Sequence, residues 1–316
     1  MSTSNDLVVL RTSDGVLIPV LKNILCFASP FFRDLFSFPQ PKDSDTTDDP
    51  IDISEPSTTI ELIINICQNA YFSLNRVSLS DIASLLQAAD KYDIKVVHDN
   101  ALSSLTRPAF LEEEPLRVYV IASRYGAHDT AELAAQHILR YPLLHADYFP
   151  ELEMVDGGTI YRILHYQKRC MAAAIDIATD HTWIREGTYV FIGCPEANSC
   201  DEEENFDYAT RMTTIRTVRS RKYKNGYTKP VCVHPWWTKF MATTKVAFSE
   251  SIHPEVIRDK GRVKEALSSA PECSHCRRRV GSDFINFLEA FENELQRRID
   301  EVSVMLLKNQ ILLNWI

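Results

Sequence analysis

The chain has 316 residues, of which 45% are hydrophobic and 24% charged, a composition typical of a globular protein with about two domains. No apolar run approaches the roughly 18 residues of a membrane-spanning helix, and the N-terminus lacks the basic start and apolar core of a signal peptide. We therefore expect an intracellular protein of the cytoplasm or nucleus, whose eight cysteines serve as metal ligands or buried thiols rather than in disulfides.

The net charge of −9 is unevenly distributed. Residues 1–207 carry 32 acidic and 15 basic side chains, whereas residues 208–249 carry nine basic side chains and no acidic one. An acidic surface repels nucleic acid, so only the basic block could bind it. The overall charge therefore argues against nucleic acid as the partner.

The first 36 residues predict a β-hairpin followed by two helices. The apolar segments Leu7–Arg11 and Val16–Val20 flank Ser13-Asp14-Gly15, whose residue types favour a hairpin turn. A helix follows directly, and Ser29 and Pro30 are residue types preferred at the N-cap and first position of a second helix. Apolar residues recur in that second helix at helical spacing: Phe31, Phe32, Leu35 and Phe36.

The next elements are a strand and two helices. A polar, acidic loop at residues 39–50 precedes a short strand at Ile51–Ile53 and a helix at Ile60–Ala70. Another helix is expected at Ile82–Tyr92, with an N-terminal cap at Ser80-Asp81.

The chain then repeats one short pattern. A helix beginning at Asp93 ends before Pro108, and the turn sequence at 88–93 that precedes it returns 33 residues later at 121–126. We interpret this repeated pattern as two helical hairpins, the second extending the first. A further helix is expected at Gly158–Thr179, where apolar residues recur at helical spacing.

This order of strand, turn, strand and helix, ending in the Ser-Pro-Phe-Phe helix, resembles the start of the BTB/POZ fold. The resemblance covers roughly the first third of the chain. The whole chain, with its second hairpin and its cysteine-bearing tail, resembles the expanded BTB-domain family of mushroom-forming fungi. It departs from the family at Leu21, where histidine is usual, so the Asp–His contact typical of the fold cannot form with Asp6.

The resemblance implies a protein–protein interaction module without catalytic activity. Such modules form homodimers or heterodimers, and in some branches they deliver substrates to a cullin-based ubiquitin ligase. The family's association surfaces correspond here to the first strand and to the Phe31–Phe38 helix and loop. The interface residues that the resemblance implies are Asp6, Leu7, Val8, Val9, Leu10, Phe31, Phe32, Leu35, Phe36 and Phe38.

We expect an α+β fold that begins with a BTB/POZ domain at residues 1–107, a small mixed sheet flanked by helical hairpins. A mainly α-helical extension follows at 108–180. Glycine, proline, cysteine and tryptophan then become frequent, so residues 181–281 are expected to be an irregular, partly helical region. In the last segment, 282–316, an amphipathic helix at Ser282–Lys308 either forms a coiled-coil dimer seam or packs within the chain.

Two pairs of cysteines in the irregular region suggest a metal site. Cys273 and Cys276 form a CxxC motif, and Cys194 and Cys200 lie upstream. Four thiolates from two loops could close a tetrahedral structural zinc site, which would stabilise a region poor in regular elements. The alternative is a set of unrelated thiols, because the spacing of the upstream pair is wider than usual. Substitute ligands are available at Cys232 and His234.

The basic block at residues 211–245 includes Trp236 and Trp237, and cations with aromatic rings can follow a phosphate backbone and stack on bases. A nucleic-acid-binding regulator that uses this block and a zinc-stabilised tail is therefore the alternative function. In the other interpretation the cations pair with acidic residues and both tryptophans pack in a core. The negative overall charge favours that second interpretation.

The sequence does not favour an enzyme. Asp176, Asp180 and His181 are close in sequence, but no nucleophile elbow or second carboxylate pair accompanies them. Gly157-Gly158 lacks the rest of a dinucleotide-binding fingerprint. We therefore predict a non-enzymatic dimerisation or scaffold module that binds proteins, with a self-associating structural protein as a third class.

Overall fold

The computed structural model describes residues 7–38, 49–69, 72–143, 146–184, 187–192, 213–215, 231–270 and 276–313. The chain forms two compact units. Unit 1 comprises Met1–His137 and Tyr148–Thr159, and unit 2 comprises Ile138–Asp147 and Ile160–Ile316. Among the described residues, no helix is both long and apolar enough to span a bilayer.

Unit 1 begins with a three-stranded mixed sheet, as expected for an α+β fold. Strand β1 (Leu7–Arg11) pairs antiparallel with β2 (Leu17–Leu21) and parallel with β3 (Ile51–Asp52), so β1 is the central strand. The hairpin turn contains Gly15 at a φ of +80°, a conformation that glycine adopts without steric cost. Strand β2 begins one residue later than predicted.

The helices of unit 1 follow the sheet in short, closely connected pairs. Their bounds are α1 Lys22–Ala28, α2 Pro30–Ser37, α3 Ser57–Gln68, α4 Leu79–Lys91, α5 Lys95–Ser104, α6 Pro108–Glu113 and α7 Pro115–Arg124. Helix α8 (His128–Ile138) follows, and a 3-10 helix at Pro150–Met154 precedes α9 (Gly157–Ile177), which belongs to unit 2 from Ile160 onward. The predicted α+β domain with a mainly helical remainder is confirmed.

Of the two N-caps predicted for α2 and α4, the first is confirmed and the second is wrong. Ser29 is the N-cap of α2, where its Oγ accepts a hydrogen bond from the Phe32 amide at 3.1 Å, so this prediction is confirmed. The predicted cap at Ser80 is wrong, because Ser78 caps α4 and its Oγ accepts from the Asp81 amide at 3.1 Å. Starting the helix at Leu79 buries that side chain, which a start at Ser80 would leave outside the helix.

The sequence pattern that repeats after 33 residues corresponds to one type of turn, which ends a helix at both places. Tyr92 ends α4 and Tyr125 ends α7, and the next residues, Asp93 and Gly126, both have positive φ, at 49° and 67°. In each turn the amide two positions after the tyrosine donates to the carbonyl five residues upstream at 2.8 Å. The two predicted helical hairpins are therefore α4–α5 and α7–α8.

Unit 2 has an aromatic core, to which its last helix contributes three rings. Its other elements are strands β4 Thr213–Ile215 and β5 Val231–Val233 and helices α10 Pro235–Ala247, α11 Pro254–Ile257, α12 Lys260–Ser269 and α13 Val280–Leu313. Rings from this unit form an aromatic cluster: Trp183, Tyr189, Phe191, Trp236, Trp237, Phe240, Phe284, Phe287 and Phe291. Its members on α13 are fully buried.

Helix α13 packs within the chain rather than presenting its apolar face to solvent. Tyr166 of α9 hydrogen-bonds Ser303 at 3.2 Å, and Arg298 of α13 reaches Asp176 of α9 at 3.4 Å. Its inward residues remain buried as far as Val302. The intramolecular alternative predicted for this helix is therefore confirmed as far as Ser303.

Candidate interaction surfaces

The β-hairpin of unit 1 carries apolar side chains on both of its faces. Val8, Leu10 and Val20 point into the core, with exposures of 9%, 1% and 3%. Side chains alternate along a strand, so the intervening residues lie on the opposite face. That outer hairpin face consists of Leu7, Val9, Leu17, Pro19 and Leu21, with the exposed Arg11 at one end, opposite Leu17.

The outer hairpin face is apolar although it is open to solvent. Leu7 and Leu21 lie directly opposite each other in the strand pairing and are 62% and 41% exposed. Leu17 is 55% exposed, and Pro19 is exposed next to half-buried Val9. Such a contiguous exposed apolar patch is typical of a protein-binding surface.

The predicted interface strand thus divides between two roles. Leu7 and Val9 belong to the outer hairpin face, whereas Val8 and Leu10 belong to the core. Asp6 lies outside the described residues. The resemblance to the family implied the whole strand and did not separate its two faces.

The predicted α2 interface divides in the same way. Phe31 and Phe38 are 43% and 67% exposed, whereas Phe32 is 2% exposed and its ring stacks on Tyr92 at 5.0 Å between centroids. Phe36 is half-buried and stacks on Phe32 at 6.0 Å, and Leu35 is also half-buried. Phe32 is therefore a core residue, and Phe31 and Phe38 remain candidate contact residues.

One exposed aromatic residue was missed in the sequence. Phe27 on α1 is 94% exposed, while Leu25 of the same helix is buried. Positions two apart on a helix point in nearly opposite directions, so with Leu25 directed inward, Phe27 must face out. Helical periodicity applied to α1 would have identified it.

The hairpin is held rigidly against α3 by the turn residue Asp14. Its carboxylate accepts hydrogen bonds from the Ser57 amide at 3.1 Å and from the Ser57 hydroxyl at 2.7 Å, at the first turn of α3. Bonds from Thr12 and Ser57 lower the pKa of Asp14 to about 2. The charged carboxylate therefore fixes the orientation of the outer hairpin face relative to the helices.

Of the four predicted zinc ligands, only Cys276 lies among the described residues. It is fully buried, its thiol donates to the Val190 carbonyl oxygen at 3.2 Å, and its Sγ lies 3.5 Å from Nε2 of His234. Cys194, Cys200 and Cys273 lie outside the described part of the chain. Within that part, no group of three or more histidine, cysteine or carboxylate side chains is arranged around a common point.

The described part of the basic block does not present its tryptophans to a ligand. Trp236 and Trp237 are 8% and 0% exposed and pack on Phe191 of the aromatic cluster. Lys239 forms an ion pair with Glu265 at 2.5 Å. Residues 216–230, which carry most of the cations, lie outside the described residues. The two rings are therefore core residues, unavailable for stacking on bases.

The acidic residues and histidine considered for catalysis take part in packing. Asp176 pairs with Arg298, and His181 is 7% exposed with its ring 4.9 Å from that of Trp237. Burial lowers the pKa of His181, which keeps the imidazole neutral at physiological pH. The His181 ring thus belongs to the core of unit 2, and Asp176 belongs to an exposed ion pair between α9 and α13.

Comparison with known proteins agrees with the geometry of the N-terminal region. The family model for the BTB/POZ domain matches residues 5–108, which contain the sheet and helices α1 to α5. No curated protein matches the chain. BTB domains mediate protein–protein interactions and dimerisation and are generally not enzymes. The N-terminal third of this chain is therefore a BTB/POZ domain, a protein–protein interaction module.

Proposed function

We propose that the BTB domain joins two copies of this chain through the outer hairpin face and that the dimer serves as a scaffold for other proteins. The observation that carries the proposal is the exposed apolar surface of β1 and β2, above all the facing pair Leu7 and Leu21. An isologous contact brings the same patch of both copies together, so an apolar patch is complementary to itself.

Charge favours this surface over others in the N-terminal part of the chain. Residues 1–207 carry a large excess of acidic side chains, so two copies repel each other wherever those carboxylates face one another. The two hairpin strands contribute no acidic residue to this face, and Arg11 at its end is paired with Asp52 of β3 at 3.1 Å. Self-association therefore meets least repulsion at the hairpin.

The arrangement of β2 favours contact between faces rather than addition of a strand. Strand β2 lies at the edge of the sheet, where a partner strand could add by hydrogen bonding. Pro19 in the middle of β2 has no amide hydrogen to donate, which weakens any continuous ladder along that edge. The apolar side chains are therefore the main source of affinity.

The exposed leucines of the hairpin offer a burial energy comparable to the cost of association. Fully burying an exposed leucine or phenylalanine side chain contributes about 1.5–3 kcal/mol. Leu7, Leu17 and Leu21 are about half exposed, so the six side chains of two copies contribute on the order of 5–9 kcal/mol, which lies within the range of an association cost on the order of 4–15 kcal/mol.

The family resemblance suggests a more specific role for the scaffold, that of a ubiquitin-ligase adaptor. Because some BTB proteins deliver substrates to a cullin-based ubiquitin ligase, we include an adaptor role of this kind in the proposal. Its support is the domain match alone. Co-purification of a cullin with the full chain from its native cell would support the adaptor role, and a scaffold free of cullin would restrict the function to dimerisation.

Light scattering after size exclusion tests the dimer directly. The 36.1 kDa chain should elute with twice its monomer mass, and Leu7→Asp combined with Leu21→Asp should return it to the monomer mass. Val246→Asp is the matched control, because Val246 is 68% exposed on α10 in unit 2. A monomeric wild type at micromolar concentration, or a double variant that stays dimeric with native circular dichroism, would refute the interface.

A further inference from the structure

A cleft with a volume of about 450 Å³, a size within the range of ligand pockets, lies in unit 1 where α4, α7 and the 3-10 helix meet. Its walls carry both signs of charge, because α4 contributes Asp90, α7 contributes Arg124 and the 3-10 helix contributes Glu153. Tyr125 and Met154 add an aromatic ring and a thioether. From this arrangement we propose that the cleft binds a short peptide segment of a client protein, in which a basic and an acidic side chain lie close together.

The cleft is formed by the two repeated turns and the 3-10 helix. Lys91 and Arg124 occupy equivalent positions in the last turns of α4 and α7, and both line the cleft. The side-chain amide of Gln87 on α4 lies 3.6 Å from the sulfur of Met154 in the 3-10 helix. Arg117 of α7 binds the same 3-10 helix with two hydrogen bonds. The three walls are therefore held together before a ligand binds, which lowers the entropic cost of binding.

Two charges in the cleft have no ionic partner in the part of the chain that the structure describes. Lys91 is neutralised, because its Nζ binds Glu55 at 2.8 Å. Asp90 and Arg124, by contrast, form no ion pair with any described residue, although they line the same cleft. The Arg124 guanidinium lies 6.0 Å from the centroid of the Tyr125 ring. The cleft therefore offers one carboxylate and one guanidinium that can each take an opposite charge from a ligand.

Tyr125 relates these two charges to a single point. Burial raises the pKa of Tyr125, the Asp90 carboxylate raises it further, and the Arg124 guanidinium acts in the opposite direction. Both charges thus lie within electrostatic reach of the same phenol. The ring packs edge-on against His98, with 5.8 Å between centroids, and its hydroxyl makes no hydrogen bond with a described residue. That hydroxyl can therefore donate to, or accept from, the backbone of a bound peptide.

The distribution of charge favours a ligand that carries both signs. A purely anionic ligand is repelled by Asp90 and Glu153 and by the acidic excess of residues 1–207. A purely cationic ligand leaves Arg124 without a partner. A basic side chain that binds either carboxylate can also lay its aliphatic stem on Met154, while a neighbouring acidic side chain pairs with Arg124.

This inference rests on the proposed scaffold role, because it names the chemistry of the client, but it does not depend on the dimer. The cleft residues belong to α4, α7 and the 3-10 helix, whereas the outer hairpin face belongs to β1 and β2. The variant that combines Leu7→Asp with Leu21→Asp should therefore bind a peptide as tightly as the wild type. Failure of the dimer and failure of the cleft are thus distinguishable.

The test selects peptides from a randomised display library on the full chain and measures their affinity by fluorescence anisotropy. Peptides with a basic residue close to an acidic one should be enriched. Asp90→Asn and Arg124→Gln should each weaken their binding about two- to fivefold, as expected for an exposed ion pair. The matched controls Glu61→Gln on α3 and Arg76→Gln before α4, which replace exposed charges outside the cleft, should bind like the wild type.

A double-mutant cycle then assigns each contact. Replacing the acidic residue of the peptide with glutamine should weaken binding to the wild type but cause little further loss with Arg124→Gln, and the basic residue should be coupled to Asp90→Asn in the same way. Both positions are exposed, so these variants should keep the native circular dichroism. A library that enriches no such peptide, or losses that simply add in both cycles, would overturn the proposal.

Discussion

His181 is a titratable side chain placed in an apolar core. It is 7% exposed against Trp237, and burial lowers its pKa although the Ala178 carbonyl and the Asp180 charge act in the opposite direction. The folded chain therefore holds a neutral imidazole, while the unfolded chain titrates near the ordinary value of about 6.5. Between these two pKa values only the unfolded state binds the proton.

The first prediction concerns acid sensitivity. Above about pH 6.5 His181 is neutral in both the folded and the unfolded state, so it adds no pH dependence to the free energy of unfolding. Below that pH the unfolded state gains a proton on His181. The free energy of unfolding then falls by up to about 1.4 kcal/mol per pH unit. The loss levels off below the folded pKa. His181→Gln should reduce this dependence between pH 7 and 5, measured by urea unfolding.

The control for His181 is His165→Gln on α9. His165 is half-buried and stacks on Tyr161, so its substitution shows the effect of replacing a histidine outside the apolar core. Equal slopes for His181→Gln and the wild type would contradict the assignment of acid sensitivity to the buried imidazole.

At the scale of elements, one arginine connects three parts of unit 1. Arg117 on α7 binds Glu151 of the 3-10 helix with two hydrogen bonds, at 2.9 and 2.7 Å, and also contacts Glu114 and Ser80. Glu151 is 4% exposed, and its bond is the main cause of the raised pKa of Arg117. The 3-10 helix is thereby joined to α7 by a largely desolvated ion pair.

The second prediction follows from this burial. Arg117→Met leaves the Glu151 carboxylate buried without its cation, which should cost about 3–5 kcal/mol in urea unfolding, whereas the double variant with Glu151→Met should recover much of the loss. Arg297→Met is the control, because Arg297 is 51% exposed in its pair with Glu294, and exposed pairs contribute about 0–1 kcal/mol. Equal losses for Arg117→Met and Arg297→Met would contradict the prediction.

Elements were predictable from sequence where their signals are local. Ser29 and Pro30 are adjacent and begin α2 as expected, because capping depends on the few amides that follow. The start of α4 was misplaced because Ser78 and Ser80 are both suitable caps, and only the burial of Leu79 distinguishes them. Local patterns thus specify an element but leave its ends uncertain by a residue or two.

Contacts between distant residues were not predictable in the same way. Arg117 and Glu151 are 34 residues apart, and no periodicity connects them. His234 and Cys276 are 42 residues apart, and the sequence offered His234 only as one of two substitute ligands. The outer hairpin face also required the strand register, because the alternation of faces decides that Leu7 is exposed and Val8 is not.

At the scale of the whole molecule, the chain has two cores of different character. Unit 1 buries mainly aliphatic side chains, such as Leu10, Ile63 and Leu85, between its sheet and helices. Unit 2 buries the aromatic cluster, in which Phe287 contacts seven other rings. A chain with two separate cores is expected to unfold in more than one cooperative step.

The last prediction is that calorimetry of the full chain resolves two transitions and that each core controls one of them. Phe287 is 0% exposed, so Phe287→Ala should cost about 3–5 kcal/mol and lower only the unit 2 transition, by about 2–4 °C per kcal/mol. Ile285→Ala, two residues earlier on α13 but 57% exposed, should leave both transitions nearly unchanged. Arg117→Met should lower the other transition alone. A single transition shifted by both Phe287→Ala and Arg117→Met would instead mean that the two cores unfold as one cooperative body.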